Sequence, residues 1–295
     1  MTEDMKTKPE TPSNTNQTDA AILADDLPRP NRHTRRALKK LFKNVIIANE
    51  RGGAGKTFLA QLMASLAKSH FGNVTVLEVD DQDLLVKLFP GEAQKVAFAK
   101  VEDTRRDFTA DIRALDPVLK ALTDPDGPPA IVDLGARQDQ RFARAMSKSN
   151  IARYVAASGR DTAILVPVLP DEDTIRCAVR TTRRLAVCLP EASIFICCRL
   201  MTPGGLNKAA QELWDERLAP IIAENGSLQI PTFEYATVQQ VERLGRSMFD
   251  LSHMQIAELA GMLEESVFIT EVIREDMHLN VEQWREQLVT KGFFA

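Results

Sequence analysis

The chain has 295 residues, of which 44% are hydrophobic and 26% are charged, and its formal net charge is −4. This size suits one large α/β domain with a tail, and the acidic balance excludes nucleic-acid binding through overall charge, leaving only local patches for it. No run of about eighteen apolar residues and no apolar N-terminal segment is present, so we expect a cytoplasmic protein without a membrane anchor. The four cysteines lie in apolar runs without C-x-x-C spacing, which predicts buried thiols rather than a zinc site.

The first 43 residues divide into two stretches of different chemistry. Residues 1–28 are rich in Thr, Pro, Asn and Asp and predict a disordered tail. Residues 29–43 form a basic segment, predicted to be helical from about Thr34, that either binds DNA or a partner protein or serves as a solubilising linker. Its seven cations are Arg29, Arg32, Arg35, Arg36, Lys39, Lys40 and Lys43.

From residue 44 the pattern alternates between strands and helices. The runs "NVIIAN", "NVTVLEVD", "PAIVDLG", "TAILVPVL" and "ASIFICCRL" predict buried strands, and amphipathic stretches separate them. We therefore predict an α/β fold with a mostly parallel central sheet and helices on both faces, over residues 44–265. Residues 266–295 are predicted to be a C-terminal helical extension packed on this domain through Val281, Trp284 and Leu288.

A glycine-rich loop, "NERGGAGKT", joins the first predicted strand to the helix "KTFLAQLMASLAKSHF". Such a loop directs backbone N–H groups and the positive end of the helix towards an anion. Gly55, Lys56 and Thr57 fit the phosphate-loop pattern G-x-x-x-x-G-K-[ST], in which the lysine reaches the outer phosphates and the hydroxyl binds magnesium. Glu50 stands at the first glycine position of that pattern, and Arg51 precedes Gly52.

Acidic residues end the next strands. In "LEVDDQ", Glu78 and Asp80 lie at the end of the second predicted strand. In "PAIVDLG", Asp133 lies near the end of the third. Carboxyl ends of neighbouring parallel strands form the ligand-binding edge of an open α/β sheet, so these acids are expected beside the glycine loop. Asp133 alone could equally be an ordinary aspartate at a strand end.

The loop resembles the deviant Walker A loop, K-G-G-x-G-K-[ST], of the ParA/MinD family of ATPases, and Glu78, Asp80 and Gln82 resemble the acidic motif that follows it. The resemblance implies ATP and Mg2+ as cofactors, with Thr57 and Asp133 on the metal. It implies catalytic roles for Lys56, Asp80 and Arg51, in which Asp80 orients water and Arg51, in place of the family's extra lysine, contacts phosphate across a dimer interface. The nucleotide-binding residues it implies are Gly52, Gly53, Ala54, Gly55, Lys56, Thr57 and Phe58.

A later helix carries a possible partner surface. Its four arginines, Arg176, Arg180, Arg183 and Arg184, fall at i, i+4, i+7 and i+8 without an interleaved acid. They either bind DNA phosphates nonspecifically or pair with acids from a neighbouring element.

The functional hypotheses follow from the resemblance. The leading one is a ParA-like ATPase, slow and stimulated by DNA or a partner, that dimerises on ATP and binds DNA in plasmid or chromosome partition or in conjugative DNA transfer. Its expected partners are nonspecific DNA, a centromere-binding or relaxosome-type protein and a second copy, with no membrane. The alternatives are a nucleotide-dependent switch that positions a protein assembly with little hydrolysis, and a metabolic enzyme that transfers phosphate to a small substrate.

Overall fold

The computed structural model of the protein describes residues 41–80, 82–199, 206–234 and 243–293, together with Thr237 and Gln240. The predicted disordered tail and all but the last three residues of the predicted basic segment lie outside the described residues. The first strand begins at Phe42, two residues earlier than predicted. The reason is that Phe42 is buried, with its ring centroid 4.7 Å from that of Phe293 and 5.8 Å from that of Phe195.

Strands and helices alternate along the described chain. The strands are β1 (Phe42–Ile47), β2 (Thr75–Val79), β3 (Ala93–Lys95), β4 (Ala130–Leu134), β5 (Asp161–Val168), β6 (Ser193–Arg199) and β7 (Ser227–Ile230). The helices up to β6 are α1 (Lys56–Phe71), α2 (Leu84–Leu88), α3 (Val101–Arg106), α4 (Ala110–Ala114), α5 (Asp116–Thr123), α6 (Asp139–Ser149), α7 (Ile151–Ser158) and α8 (Glu172–Cys188). They are followed by α9 (Lys208–Leu213), a π-helical stretch (Trp214–Leu218), α10 (Ala219–Asn225), α11 (Met248–Ser252), α12 (Ile256–Leu263) and α13 (Val267–Thr290).

The seven strands form one sheet in the order β3-β2-β4-β1-β5-β6-β7, and every neighbouring pair is parallel. The prediction of a parallel central sheet with helices on both faces is confirmed. The sequence did not indicate β3 and β7, because "AQK" and "SLQI" are too short to form an apolar run and lie at the edges of the sheet.

Each face of the sheet buries alternate residues of the strands. Val45 and Ile47 point into a core that α1, α11, α12 and α13 cover, whereas Ile46 and Ala48 point into a core covered by α5 to α10. Val281, Trp284 and Leu288 of α13, the residues of the predicted inward stripe, are fully buried in the first of these cores. Within the described ranges, no helix has the length and hydropathy needed to cross a bilayer.

The sheet has a topological switch point between β1 and β4. The chain leaves β1 towards β2 on one side and leaves β4 towards β5 on the other, although β1 and β4 are neighbours. Ligand crevices of open α/β sheets lie at the carboxyl ends of such strands. The loops that follow Ile47 and Leu134 therefore mark the place to look for a functional site.

Candidate functional site

The glycine loop follows β1 and ends where α1 begins. Gly53 and Gly55 have φ values of 74° and 88°, a left-handed conformation that glycine adopts without strain. No side chain caps the N-terminus of α1, so the first amides of this helix point into the loop. The Lys56 ammonium donates a hydrogen bond of 2.8 Å to the carbonyl of Arg51 and so lies across the loop. The arrangement presents backbone N–H groups and one cation to an anion.

Asn49 fixes the start of the loop. Its buried side chain accepts a hydrogen bond from the amide of Arg51 at 2.8 Å and donates one to the carbonyl of Pro167, in β5, at 2.7 Å. The Arg51 side chain itself is 52% exposed, and its guanidinium lies 3.8 Å from the carboxylate of Asp173. The backbone of Arg51 is therefore anchored while its guanidinium stays accessible.

Glu50, which occupies the first glycine position of the phosphate-loop pattern, ties the loop to α8. Its carboxylate accepts hydrogen bonds from Arg180 at 2.9 Å and from Arg184 at 3.0 Å. Arg184 also donates to Asp139, at the start of α6, at 2.9 Å. The Thr181 hydroxyl accepts from the amide of Glu50 at 3.1 Å and donates to Asp139 at 3.0 Å. We call Glu50, Asp139, Arg180, Thr181 and Arg184 the Glu50 network.

The charges of the Glu50 network are matched. Burial acts to raise the pKa of Glu50, but the hydrogen bonds and charges of Arg180 and Arg184 outweigh it and hold that pKa below its usual value. The carboxylate is therefore ionised at neutral pH, and the network joins the loop after β1, the start of α6 and the middle of α8.

This pairing agrees, for two of the four arginines of α8, with the alternative in which they pair with acids from other elements. Arg180 and Arg184 are paired with Glu50 and Asp139, and Arg176 lies 3.7 Å from Glu172 in the preceding turn. The sequence alone could not identify these acids, because Glu50 and Asp139 are distant in sequence from α8 and close only in the fold. Arg176 and Arg183 remain exposed to solvent.

Asp133, near the end of β4, faces Lys56 and Thr57 beneath the loop. It is 1% exposed, and its Oδ1 has no hydrogen-bond partner among the described residues. Burial raises the pKa of Asp133 to about 7, against the Thr57 hydrogen bond and the Lys56 charge, which lower it. Burial also lowers the pKa of Lys56, and the carboxylates of Asp133 and Asp80 oppose that shift. A buried carboxylate with an unpartnered oxygen is suited to bind a cation.

A magnesium ion bound with a nucleotide fits these groups. Mg2+ takes one or two protein oxygens and completes its shell with phosphate oxygens and water, so Thr57 and Asp133 are a sufficient protein contribution. Among the described residues, no group of three or more His, Cys, Asp or Glu side chains has the arrangement of a metal site. The donor set therefore fits a phosphate-bound metal and not a metal held by protein side chains alone.

Asp80 and Glu78, both predicted near the loop, have different surroundings. A Cβ at Gly135 would lie 2.6 Å from Cγ of Asp80, so the glycine after β4 makes room for this carboxylate. Glu78 is buried and accepts hydrogen bonds from the amides of Leu84 and Val86, at the start of α2. Asp80 is therefore half-buried next to Gly135 at the carboxyl edge of the sheet, and Glu78 has a structural role.

The remaining predicted loop residues line the same turn. Gly52 and Gly53 are exposed, Ala54 is buried, and Gly55 and Thr57 are half-buried. The Phe58 ring packs edge-to-face on Phe233 with the centroids 5.5 Å apart, so this residue offers the loop only its backbone. The roles of Asn49, Asp139 and Thr181 were not predicted from the sequence. The one sequence feature that indicated such contacts is Glu50, which stands at a glycine position of the phosphate-loop pattern.

Comparisons with known proteins give matches among solved structures, whereas no protein-family profile and no curated protein sequence matches the chain. The MinD cell division protein of Aquifex aeolicus is 15% identical, with a TM-score of 0.44, over 83% of this chain and 97% of its own. The septum site-determining protein MinD of Pyrococcus horikoshii, complexed with Mg-ADP, is 13% identical with a TM-score of 0.42, over 85% of this chain and 98% of its own. The Cyanothece McdA–ATP complex is 12% identical with a TM-score of 0.42, over 79% and 97%.

These TM-scores are all below 0.5, so the chain's own features define its fold. They are the deviant glycine loop after β1, the acids at the ends of β2 and β4, and the strand order around them. With these features, the chain is an α/β protein with an all-parallel sheet and a glycine loop at its topological switch point.

Proposed function

We propose that the protein is an ATPase of the ParA/MinD type that acts as a nucleotide-dependent positioning switch. The observation that carries the proposal is the buried, unpartnered oxygen of Asp133 next to Lys56 and Thr57, at the base of a glycine loop that opens α1. A lysine, a hydroxyl, a buried carboxylate and a row of free amides are together the groups that hold Mg–ATP.

The side chains of the site divide the work of hydrolysis. Lys56 and the amides of Gly53 to Thr57 would hold the phosphates, and Thr57 and Asp133 would hold the metal, which would neutralise charge on the transferred phosphoryl group. Asp80 accepts a hydrogen bond from the attacking water and orients it. The Glu50 network keeps the loop in register with α6 and α8 during this step.

Arg51 completes the site of a second copy. Its backbone is anchored by Asn49 and its guanidinium is 52% exposed at the carboxyl edge of the sheet. An arginine offers a planar, bidentate donor for phosphate where the family has a lysine. We propose that Arg51 reaches the phosphates bound by a second protomer, so that ATP joins the two copies.

We further propose which cargo the dimer positions. DNA, in plasmid or chromosome partition or in conjugative transfer, would be contacted by Arg176 and Arg183, with a centromere-binding or relaxosome-type protein as stimulating partner. The pairing of Arg180 and Arg184 with Glu50 and Asp139 supports a second candidate, a switch that positions a protein assembly without DNA and hydrolyses little ATP.

The test measures molar mass by light scattering, DNA binding and phosphate release with ATP, with ADP and without nucleotide. We expect ATP alone to give a dimer, Lys56→Ala to abolish nucleotide binding, and Arg51→Ala to bind ATP but remain a monomer. Arg51→Lys should retain the dimer, and Asp116→Asn, which removes an exposed ion pair on α5, should behave as wild type. A wild type that binds ATP and stays monomeric would contradict the role of Arg51, and one that binds no nucleotide would contradict the whole proposal.

A further inference from the structure

The C-terminal helix α13 has two apolar faces. One face packs into the core through Ile273, Met277 and the stripe from Val281 to Leu288. On the opposite side, Phe268, Val272 and Leu279 are 86%, 68% and 60% exposed. A helix that is apolar on two sides is typical of one buried between two elements, so the outer side is not explained by the fold of this chain.

The outer residues are regularly spaced. Phe268, Val272, Glu275 and Leu279 follow each other by four, three and four residues, which places them on one stripe of the helix. We call these four residues the outer stripe. A repeat of this kind is the pattern along which a second helix packs.

The outer stripe begins beyond the sheet. The Gln287 side chain bonds the backbone of Gln229, in β7, at 2.8 and 3.2 Å, and Asp276 accepts a hydrogen bond from the amide of Glu234 at 3.0 Å. Towards its N-terminus, α13 therefore runs past the carboxyl end of β7. Phe268 lies about 28 Å along the helix from Gln287. The stripe thus extends towards the same edge of the sheet that carries the glycine loop.

The charge on the outer stripe indicates which kind of partner would bind there. Glu271 and Glu282 flank it and are paired with Arg274 and Arg285, whereas within the described ranges Glu275 has no cationic partner. Covering Glu275 with an apolar or acidic helix would bury an unpaired carboxylate, which is costly. A second copy would bring this same glutamate to the seam, and an anionic membrane would repel it.

We propose that the outer stripe is a docking surface for a basic amphipathic helix of a partner protein. Apolar side chains of that helix cover Phe268, Val272 and Leu279, and one Lys or Arg pairs with Glu275. The surface is separate from the nucleotide site and needs none of its residues, so the proposal goes beyond the function argued above.

The experiment uses the full chain and a fluorescently labelled amphipathic peptide of leucine and lysine, with an equal peptide of leucine and glutamate beside it. Fluorescence anisotropy should show binding of the lysine peptide alone, weakened about tenfold by Phe268→Ser with Val272→Ser. Glu275→Lys should reverse the preference between the peptides. Val187→Ser, at a residue of α8 that is 65% exposed, is the matched control and should change nothing.

Other outcomes overturn the proposal. They are no binding of the lysine peptide, an unchanged preference in Glu275→Lys, or equal weakening by Val187→Ser. A mass that falls from dimer to monomer in the double variant without nucleotide would assign the stripe to a second copy. Binding to anionic vesicles that the double variant loses would assign it to a membrane.

Discussion

At the scale of single residues, two acids that look alike in the sequence differ in their surroundings. Asp133 is buried near Lys56, and it forms no ion pair with any of the described residues. Glu50 is half-buried and paired with two arginines. The sequence predicted a site for Asp133 from its place at a strand end, but it could not predict the partners of Glu50. Those partners are 130 and 134 residues away and meet it only because α8 packs on β5, the neighbour of β1 in the sheet.

The shifted pKa of Asp133 predicts a pH-dependent stability. Because its pKa is about 7 in the folded chain, above its usual value of 3.8, the folded state binds more protons between these two values. Its contribution to the free energy of unfolding therefore falls as pH rises from about 4 to 7 and is constant above, by about 4 kcal/mol at most. Asp133→Asn, which cannot ionise, should have a melting temperature that exceeds that of wild type by several degrees at pH 8 and by much less at pH 5.

Thermal unfolding with chelator and without nucleotide measures this difference. Asp126→Asn, at an exposed position, is the control and should follow wild type at both pH values. A difference between Asp133→Asn and wild type that is the same at pH 5 and pH 8 would contradict the assignment.

The Glu50 network predicts a loss of nucleotide affinity without loss of fold. Glu50→Gln removes the charge that holds Arg180 and Arg184, so the side-chain attachment of the loop to α8 weakens. The Glu50 amide keeps its hydrogen bond to Thr181. We expect binding of a fluorescent ATP analogue to weaken about tenfold, equivalent to about 1.4 kcal/mol. A double-mutant cycle with Arg184→Gln should give a coupling energy of about 1 kcal/mol or more. Full affinity in a folded Glu50→Gln variant would show that the network does not position the loop.

At the scale of elements, the sequence located most of the long ones. Helix α1 was predicted with its observed ends because Gly55 and Gly72, with φ values of 88° and 81°, bound an apolar, helix-forming run. The strands β3 and β7 were not predicted, since three or four residues at a sheet edge need little apolar character. Helix α13 lies within the predicted helical extension 266–295, although its outer stripe obscures the one-sided pattern of a surface helix.

The packing of α13 predicts that it is necessary for the stability of the domain. Trp284 is fully buried, and its indole Nε1 has no hydrogen-bond partner among the described residues. Trp284→Ala should lower the free energy of unfolding by about 3–5 kcal/mol, and Trp284→Phe by much less. Urea denaturation measures both, with Val289→Ser, 40% exposed on the same helix, as control. A loss below about 1 kcal/mol in Trp284→Ala would instead fit a loosely attached extension.

At the scale of the whole molecule, a net charge of −4 leaves DNA contact to local arginines. Arg176 and Arg183 are exposed, whereas Arg180 and Arg184 are held by the Glu50 network. If the ATP-bound dimer binds DNA through α8, the salt dependence of that binding should come from Arg176 and Arg183.

Replacing Arg176 and Arg183 with alanine should therefore reduce the slope of log affinity against log salt by about 2 per protomer. ATP binding should stay unchanged, since neither residue contacts the loop. Fluorescence anisotropy with duplex DNA at several salt concentrations measures the slope. The same slope in wild type and variant would remove α8 from the DNA interface and favour the switch that positions a protein assembly.

The acid at the first glycine position also has an evolutionary consequence. Glu50 is balanced by Arg180 and Arg184, and loss of either side would leave the other with unmatched charge. In homologues, a neutral residue at the position of Glu50 should therefore coincide with loss of the two arginines spaced by four. Co-variation of these three positions would then separate the lineage of this chain from P-loop proteins that keep the glycine.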